Sequence, residues 1–197
     1  MPLISRFPSL LAIIVVLILG LGAVQANGLD PKKLPAIGSV APAFALHPHS
    51  SATGQEESPE AIHLDHYCGL RPEETRGVLL LFTDARYLED LELANNWHRK
   101  YHRQGLEIIA ISVDTEPLEF AGKLARLSLR FPVLDDNHRI VAKRYGLSTA
   151  PFSMLLNKEC RVLGFSDQNL GKNTPGLVDA NEALLDGQIG GAAHSME

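Results

Sequence analysis

Few groups in this sequence can do chemistry, and their spacing narrows what that chemistry is. Two cysteines, Cys68 and Cys160, stand far apart in the chain. An even count, in a compartment that permits disulfides, favours pairing over two unrelated buried thiols. His63, His66 and Cys68 lie close together, and His98 and His102 are one helical turn apart. Both groups raise the question of a metal, but neither supplies four ligands at a recognised spacing. No metal and no cofactor is therefore expected, and the histidines read as surface residues of an acidic protein. Four carboxylates, Asp84, Glu89, Asp90 and Glu92, crowd one segment. At the start of a helix they would satisfy free backbone N–H groups and the positive end of the dipole, which is a structural role rather than acid/base catalysis.

Charge and the first residues bound the setting. The stretch from Leu10 to Val24 is uncharged and apolar for about fifteen residues, with Arg6 before it and Val24-Gln25-Ala26 after it. This is the plan of a secretory signal ending at Ala26. It falls short of the roughly 20 residues a membrane-spanning helix needs, so cleavage is favoured over an uncleaved anchor. Either outcome puts the domain outside the cytoplasm, periplasmic or secreted, with a membrane contact only through residues 10–24. Removing residues 1–26 removes Arg6 alone and leaves 17 basic against 23 acidic residues, a net charge of −6. No basic field exists to hold nucleic acid.

The elements that must position these groups follow from periodicity. Residues 27–76 form an N-terminal extension. Within it the run from His47 to Pro59 reads as a solvated loop, between two short apolar pieces, Ala41 to Leu46 and Ala61 to Leu64, that suit edge strands or a hairpin. Val78 to Phe82 and Leu106 to Val113 are continuous apolar runs of the kind buried on both faces of a sheet. Between them a helix is expected to turn Leu93, Ala94, Trp97 and Tyr101 inward, to leave Asn95 on its polar face, and to stop at Gly105. A second helix starts near Thr115 and Pro117 and carries Phe120, Leu124 and Leu127 on one side. Asp136 or Asn137 caps a short helix that stops at Gly146. Strands at Phe152 to Leu156 and Arg161 to Phe165 make a hairpin, and a closing helix runs from Thr174 to Gly187. Residues 77–187 thus form an α/β core with a mixed central sheet flanked by helices, followed by a loose tail over 188–197.

Several phrases, in order, resemble the thioredoxin-like redoxins of the TlpA-like and AhpC/TSA-like branch. They are Ile37 to Phe44 (IGSVAPAF), Ile109 to Asp114 (IAISVD), Phe131 to Asp136 (FPVLDD), Val141 to Leu147 (VAKRYGL) and the Ser148-Thr149-Ala150-Pro151 loop. The resemblance implies a thioredoxin-like fold in which Pro151 is a cis-proline facing the active site. Thr149 and the backbone of Ala150 would then meet an extended partner segment. It also places the family's catalytic cysteines after the first core strand, where a helix N-terminus lowers a thiol's pKa. Here that segment runs Phe82-Thr83-Asp84-Ala85-Arg86-Tyr87-Leu88-Glu89-Asp90 and contains no cysteine. A Cys-x-x-Cys pair would fall on Asp84 and Tyr87 in one register and on Tyr87 and Asp90 in the other. Neither pair, nor Thr83 beside a missing peroxidatic cysteine, supports thiol chemistry, and the Cys-x-x-x-Cys of copper-delivery relatives is absent too.

The same resemblance puts Cys68 and Cys160 together at the pole away from that site, as a bracing disulfide. The function expected first is a non-catalytic module that takes an extended segment of a protein partner beside Tyr87, Thr149, Ala150 and Pro151. The alternative is an oxidoreductase using Cys68 and Cys160, and the third a metal carrier using the histidines.

Overall fold

The two uninterrupted apolar runs become neighbouring parallel strands at the centre of a sheet. In the computed structural model, residues 34–49, 60–68, 75–113, 117–170 and 183–184 are described. The leader over 1–26, most of the polar loop before Pro59, the closing helix apart from residues 183–184, and the tail lie outside the described residues. The strands are β1 (Ala45–Leu46), β2 (Ile62–His63), β3 (Gly77–Thr83), β4 (Leu106–Ser112), β5 (Val133–Asp135), β6 (Phe152–Asn157) and β7 (Val162–Ser166). The helices are α1 (Leu88–Tyr101), α2 (Pro117–Leu124) and α3 (Ile140–Arg144). Five strands form one sheet in the order β5-β4-β3-β6-β7, with β3, β4 and β5 parallel and β6 and β7 antiparallel to their neighbours. This is the mixed sheet that the resemblance implies.

All seven residues of β3 are buried, and the pleat sends them alternately into two cores. Leu79 and Leu81 join Leu91, Ala94 and Tyr101 of α1 and Phe120 of α2 on one face. Val78, Leu80 and Phe82 join Val141, Ala142 and Tyr145, around α3, together with Ala41, Phe44, Leu64, Cys68 and Cys160, on the other. The helix ends are set by local chemistry. Asp136 resolves the two expected caps of α3, its carboxylate accepting from the N–H groups of Val141 (3.1 Å) and Ala142 (2.8 Å). A 3-10 turn (His102–Gln104) follows α1, and Gly105, at φ 98°, then reverses the chain into β4 in the left-handed conformation that favours glycine.

Two expectations for α1 need correction. Asn95 is not on the polar face: it is buried, its amide donating to the Ser128 carbonyl (3.3 Å) and its oxygen accepting from Arg130 N–H (3.2 Å). Nor is His98 a surface residue, since only 8% of it is exposed. The inward stripe runs Leu91, Ala94, Asn95, His98 and Tyr101, while Leu93 and Trp97 are only partly buried. A stripe that includes satisfied polar groups is invisible to a search for apolar residues alone.

The N-terminal extension works as a strap across the second face. Its β1 and β2 pair antiparallel as a short ribbon. At one end of the strap the N–H of Gly38 donates to Val162 and that of Ala41 to the Cys160 carbonyl, both at 2.8 Å. At the other, Pro48 bridges to Leu134 of β5, with His49 N–H donating to Val133 (2.7 Å). Midway, the buried Tyr145 hydroxyl donates to the Pro42 carbonyl at 2.8 Å. The strap thereby pairs the outer side of β5, which would otherwise be an open sheet edge.

Cys68 and Cys160 are joined in a disulfide, with Cα atoms 5.2 Å apart and a sequence separation of 92. Cys160 closes the β6–β7 turn in the left-handed region at φ 58°, where glycine is commoner. The Asn157 side chain organises that turn by accepting from the N–H groups of Glu159 (3.1 Å) and Arg161 (2.8 Å).

Two stability outcomes follow. On the chain-entropy account, a Cys68→Ala/Cys160→Ala variant loses about 4 kcal/mol in urea denaturation, and unfolding the wild type in reductant gives the same loss. Gly77→Ala loses about 1–3 kcal/mol, because its Cβ would lie 2.9 Å from the Leu156 carbonyl oxygen and 2.2 Å from Leu184 Cδ2.

Candidate functional site

The chain direction of β3 separates two poles. Its C-terminal end opens into the loop before α1, and pairing of Phe82 with Phe152 sets Pro151 beside that end. Its N-terminal end, Gly77, pairs with Asn157, next to the turn that carries Cys160. Six residue steps along the strand put the poles about 20 Å apart.

At the first pole, α1 begins at Leu88 with Tyr87 as the residue flanking its start, and Asp90 lies in its first turn. Tyr87 and Asp90 therefore straddle the helix start, whereas Asp84 lies in the loop ahead of it. The expected capping role of Asp84 is not what forms. The side chain of Tyr87, at the cap position, makes no capping bond. The Asp84 carboxylate instead folds back on its own loop, accepting from Arg86 N–H (2.9 Å) and from the Arg86 guanidinium through Nε (3.0 Å) and Nη2 (2.6 Å). The guanidinium also lies 5.3 Å over the Tyr87 ring. Burial pushes the Asp84 carboxyl up, but the Arg86 side chain and N–H outweigh it and hold the group below its ordinary range.

The Ala150–Pro151 peptide bond is cis. Tyr87 and Pro151 are half-buried and Thr149 exposed, but Ala150 is buried, at 6% exposure. Tyr87 packs against the core cluster that contains Ala150 and Phe152. The four residues expected to meet a partner thus come to one pole, and Ala150 has almost no side-chain surface to offer.

At the opposite pole the disulfide sits inside the protein, with Cys68 fully buried and Cys160 8% exposed. The bridge expected between Cys68 and Cys160 is present, away from the loop between β3 and α1, which has no cysteine. His63 and His66 stack with ring centroids 5.0 Å apart nearby in sequence, and Cys68 is withdrawn from them by its disulfide. His98 and His102 stack at 4.5 Å, and His102 Nδ1 lies 3.2 Å from Glu107 Oε1. Burial, then the charges of His102 and Arg130, lower the pKa of His98; burial raises that of Glu107, partly offset by His102. Glu107 was not a sequence candidate. Only the reversal at Gly105 brings it back to the end of α1.

Asp84 is held as a carboxylate by the fold, so the stabilisation is complete above the unfolded value of about 3.9 and disappears as pH falls through the folded value. Asp84→Asn keeps the bond to Arg86 N–H and removes the charge. Its stability is expected to lie below the wild type at pH 7 by less than about 1 kcal/mol, because the guanidinium is mostly exposed. The gap should narrow as pH falls below about 4, as read by thermal denaturation across pH; a gap that widens in acid contradicts this role.

Comparison with known proteins agrees with this architecture. Residues 37–163 match the AhpC/TSA family. The thiol-disulfide oxidoreductase ResA of Geobacillus thermodenitrificans is 30% identical over 154 residues, covering 76% of this chain and 80% of that protein. ResA of Geobacillus kaustophilus is 29% identical over 155 residues, covering 77% and 81%. Among solved structures, the thioredoxin domain of a Bacteroides vulgatus thiol-disulfide oxidoreductase superposes with a TM-score of 0.56 at 15% identity, over 76% of this chain and 98% of that one. The reduced 2-Cys peroxiredoxin of Plasmodium vivax gives 0.59 at 16%, over 77% and 83%. The fold is thioredoxin-like, and the chain belongs to the AhpC/TSA family of redoxins.

Proposed function

We propose that this redoxin works outside the cytoplasm as a binding module, taking an extended segment of a protein partner at the pole around Pro151 without exchanging thiols there. The observation that carries this reading is the loop between β3 and α1. No residue from Phe82 to Glu92 is a cysteine, and the Asp84–Arg86 fork fills the loop instead. The start of α1 at Leu88 favours Tyr87 and Asp90 as the vacant catalytic register, since a thiol there would lie at the helix N-terminus. Neither a phenol nor a carboxylate can exchange disulfides, which takes a thiolate. What remains at this pole is a half-buried aromatic ring, the exposed Thr149 and the half-buried Pro151, a surface suited to an extended chain. Export is supported by the leader pattern of residues 1–26 and by a disulfide, which persists in oxidising compartments.

A second reading is favoured by the bonded pair itself and by the ResA relatives. In it Cys68–Cys160 accepts two electrons and two protons from a partner dithiol, which leaves as a disulfide. Burial of both sulfurs weighs against it.

Insulin-disulfide reduction and hydroperoxide consumption by the mature protein should both stay at the rate without protein. Turnover above that rate overturns the binding reading. Thiol titration of the native protein after millimolar dithiothreitol should find no free thiol, and a readily reduced pair selects the second reading. Extended peptides selected by phage display on the wild type should bind Thr149→Arg at least tenfold more weakly, and equal binding to both removes this pole as the docking site.

A further inference from the structure

The end of α1 holds a group of side chains that the proposed function does not use. His98 lies in the last turn of the helix, His102 opens the 3-10 turn that follows, and Glu107 is the second residue of β4. One ligand atom from each, two imidazole nitrogens and a carboxylate oxygen, lie within 4.8 Å of one another. Two features of the fold assemble them. The four-residue spacing sets the imidazoles on one side of the helix end, where their rings stack 16° from parallel. Gly105 then turns the chain back so that Glu107 meets His102.

We propose that His98, His102 and Glu107 form a binding site for one divalent late first-row metal ion, of which zinc is the probe. The donor set decides the class. Two imidazoles and one carboxylate suit zinc and its neighbours, whereas magnesium and calcium want oxygen donors and copper(I) wants sulfur. Three protein ligands leave a fourth position for water or an exogenous ligand, unlike the closed four-ligand structural sites. Tetrahedral zinc with bonds of about 2.0–2.1 Å needs its ligand atoms roughly 3.4 Å apart, so the three must draw in by about an ångström. His102 can supply that movement, since its side chain is half exposed and sits in a terminal turn. His98 is the fixed member, buried between His102 and Phe131. Glu107 has His102 as its one ion-pair partner among the described residues. The site lies at the pole away from Pro151, so it is independent of the docking surface proposed there.

Calorimetric titration of the mature protein, free of any polyhistidine tag, with zinc chloride should give one equivalent bound at micromolar affinity or tighter. His102→Ala and Glu107→Gln should each weaken binding at least tenfold, and both alter residues with enough exposure to leave folding intact, checked by circular dichroism. His63→Ala/His66→Ala should bind as the wild type does. The cobalt-substituted protein should show visible d–d absorption that His102→Ala abolishes. Absence of saturable zinc binding overturns the proposal, as does affinity within twofold of wild type in both His102→Ala and Glu107→Gln, or a loss confined to the His63/His66 variant.

Discussion

A strand with no exposed residue has to be covered on both faces and paired on both edges, and β3 imposes that requirement on the rest of the chain. Its parallel partner β4 comes by way of α1, which covers one face on the return. Its antiparallel partner β6 enters through Pro151, and α3 with the N-terminal strap covers the other face. The apolar side chains of β3 are the reason the layers exist, because each would cost about 1.5–3 kcal/mol if left in water. The loop between β3 and α1, the Pro151 turn and the disulfide are then fixed by which end of β3 each adjoins.

Much of this was legible in the sequence because it depends on short-range chemistry. Val78 to Phe82 and Leu106 to Val113 announced the buried strands through unbroken apolar runs, and Gly105 and Gly146 announced helix stops. What could not be read depended on contacts distant in sequence. Asn95 looks solvent-facing until Ser128 and Arg130 are known to satisfy it. His98 looks like a surface residue until Phe131 packs over it, and Glu107 looks like an ordinary strand residue until the chain reverses. The Asp84 carboxylate misled for a different reason: helix caps and arginine forks draw on the same residue types, and only the geometry of Arg86 chose between them.

The site keeps the family's frame with no cysteine in the loop between β3 and α1. Among the described residues its frame runs from the start of α1 at Leu88 to the Pro151 turn. Sequence reasoning found these positions through their neighbours and found that the reactive group was not among them. It could place Cys68 and Cys160 at the far pole only through the resemblance, since nothing local ties a residue of the N-terminal extension to one in a hairpin turn.

The disulfide also changes what kind of object the chain is. Residues 68 to 160 form a closed covalent ring that contains β3 to β6, both candidate poles and the end of α1. The strap and β7 attach to this ring at its single junction, one entering at Cys68 and the other leaving at Cys160. A backbone cut anywhere within the ring therefore opens it to a line without releasing a fragment. That topology lets one exposed turn be cut while the two cores stay joined.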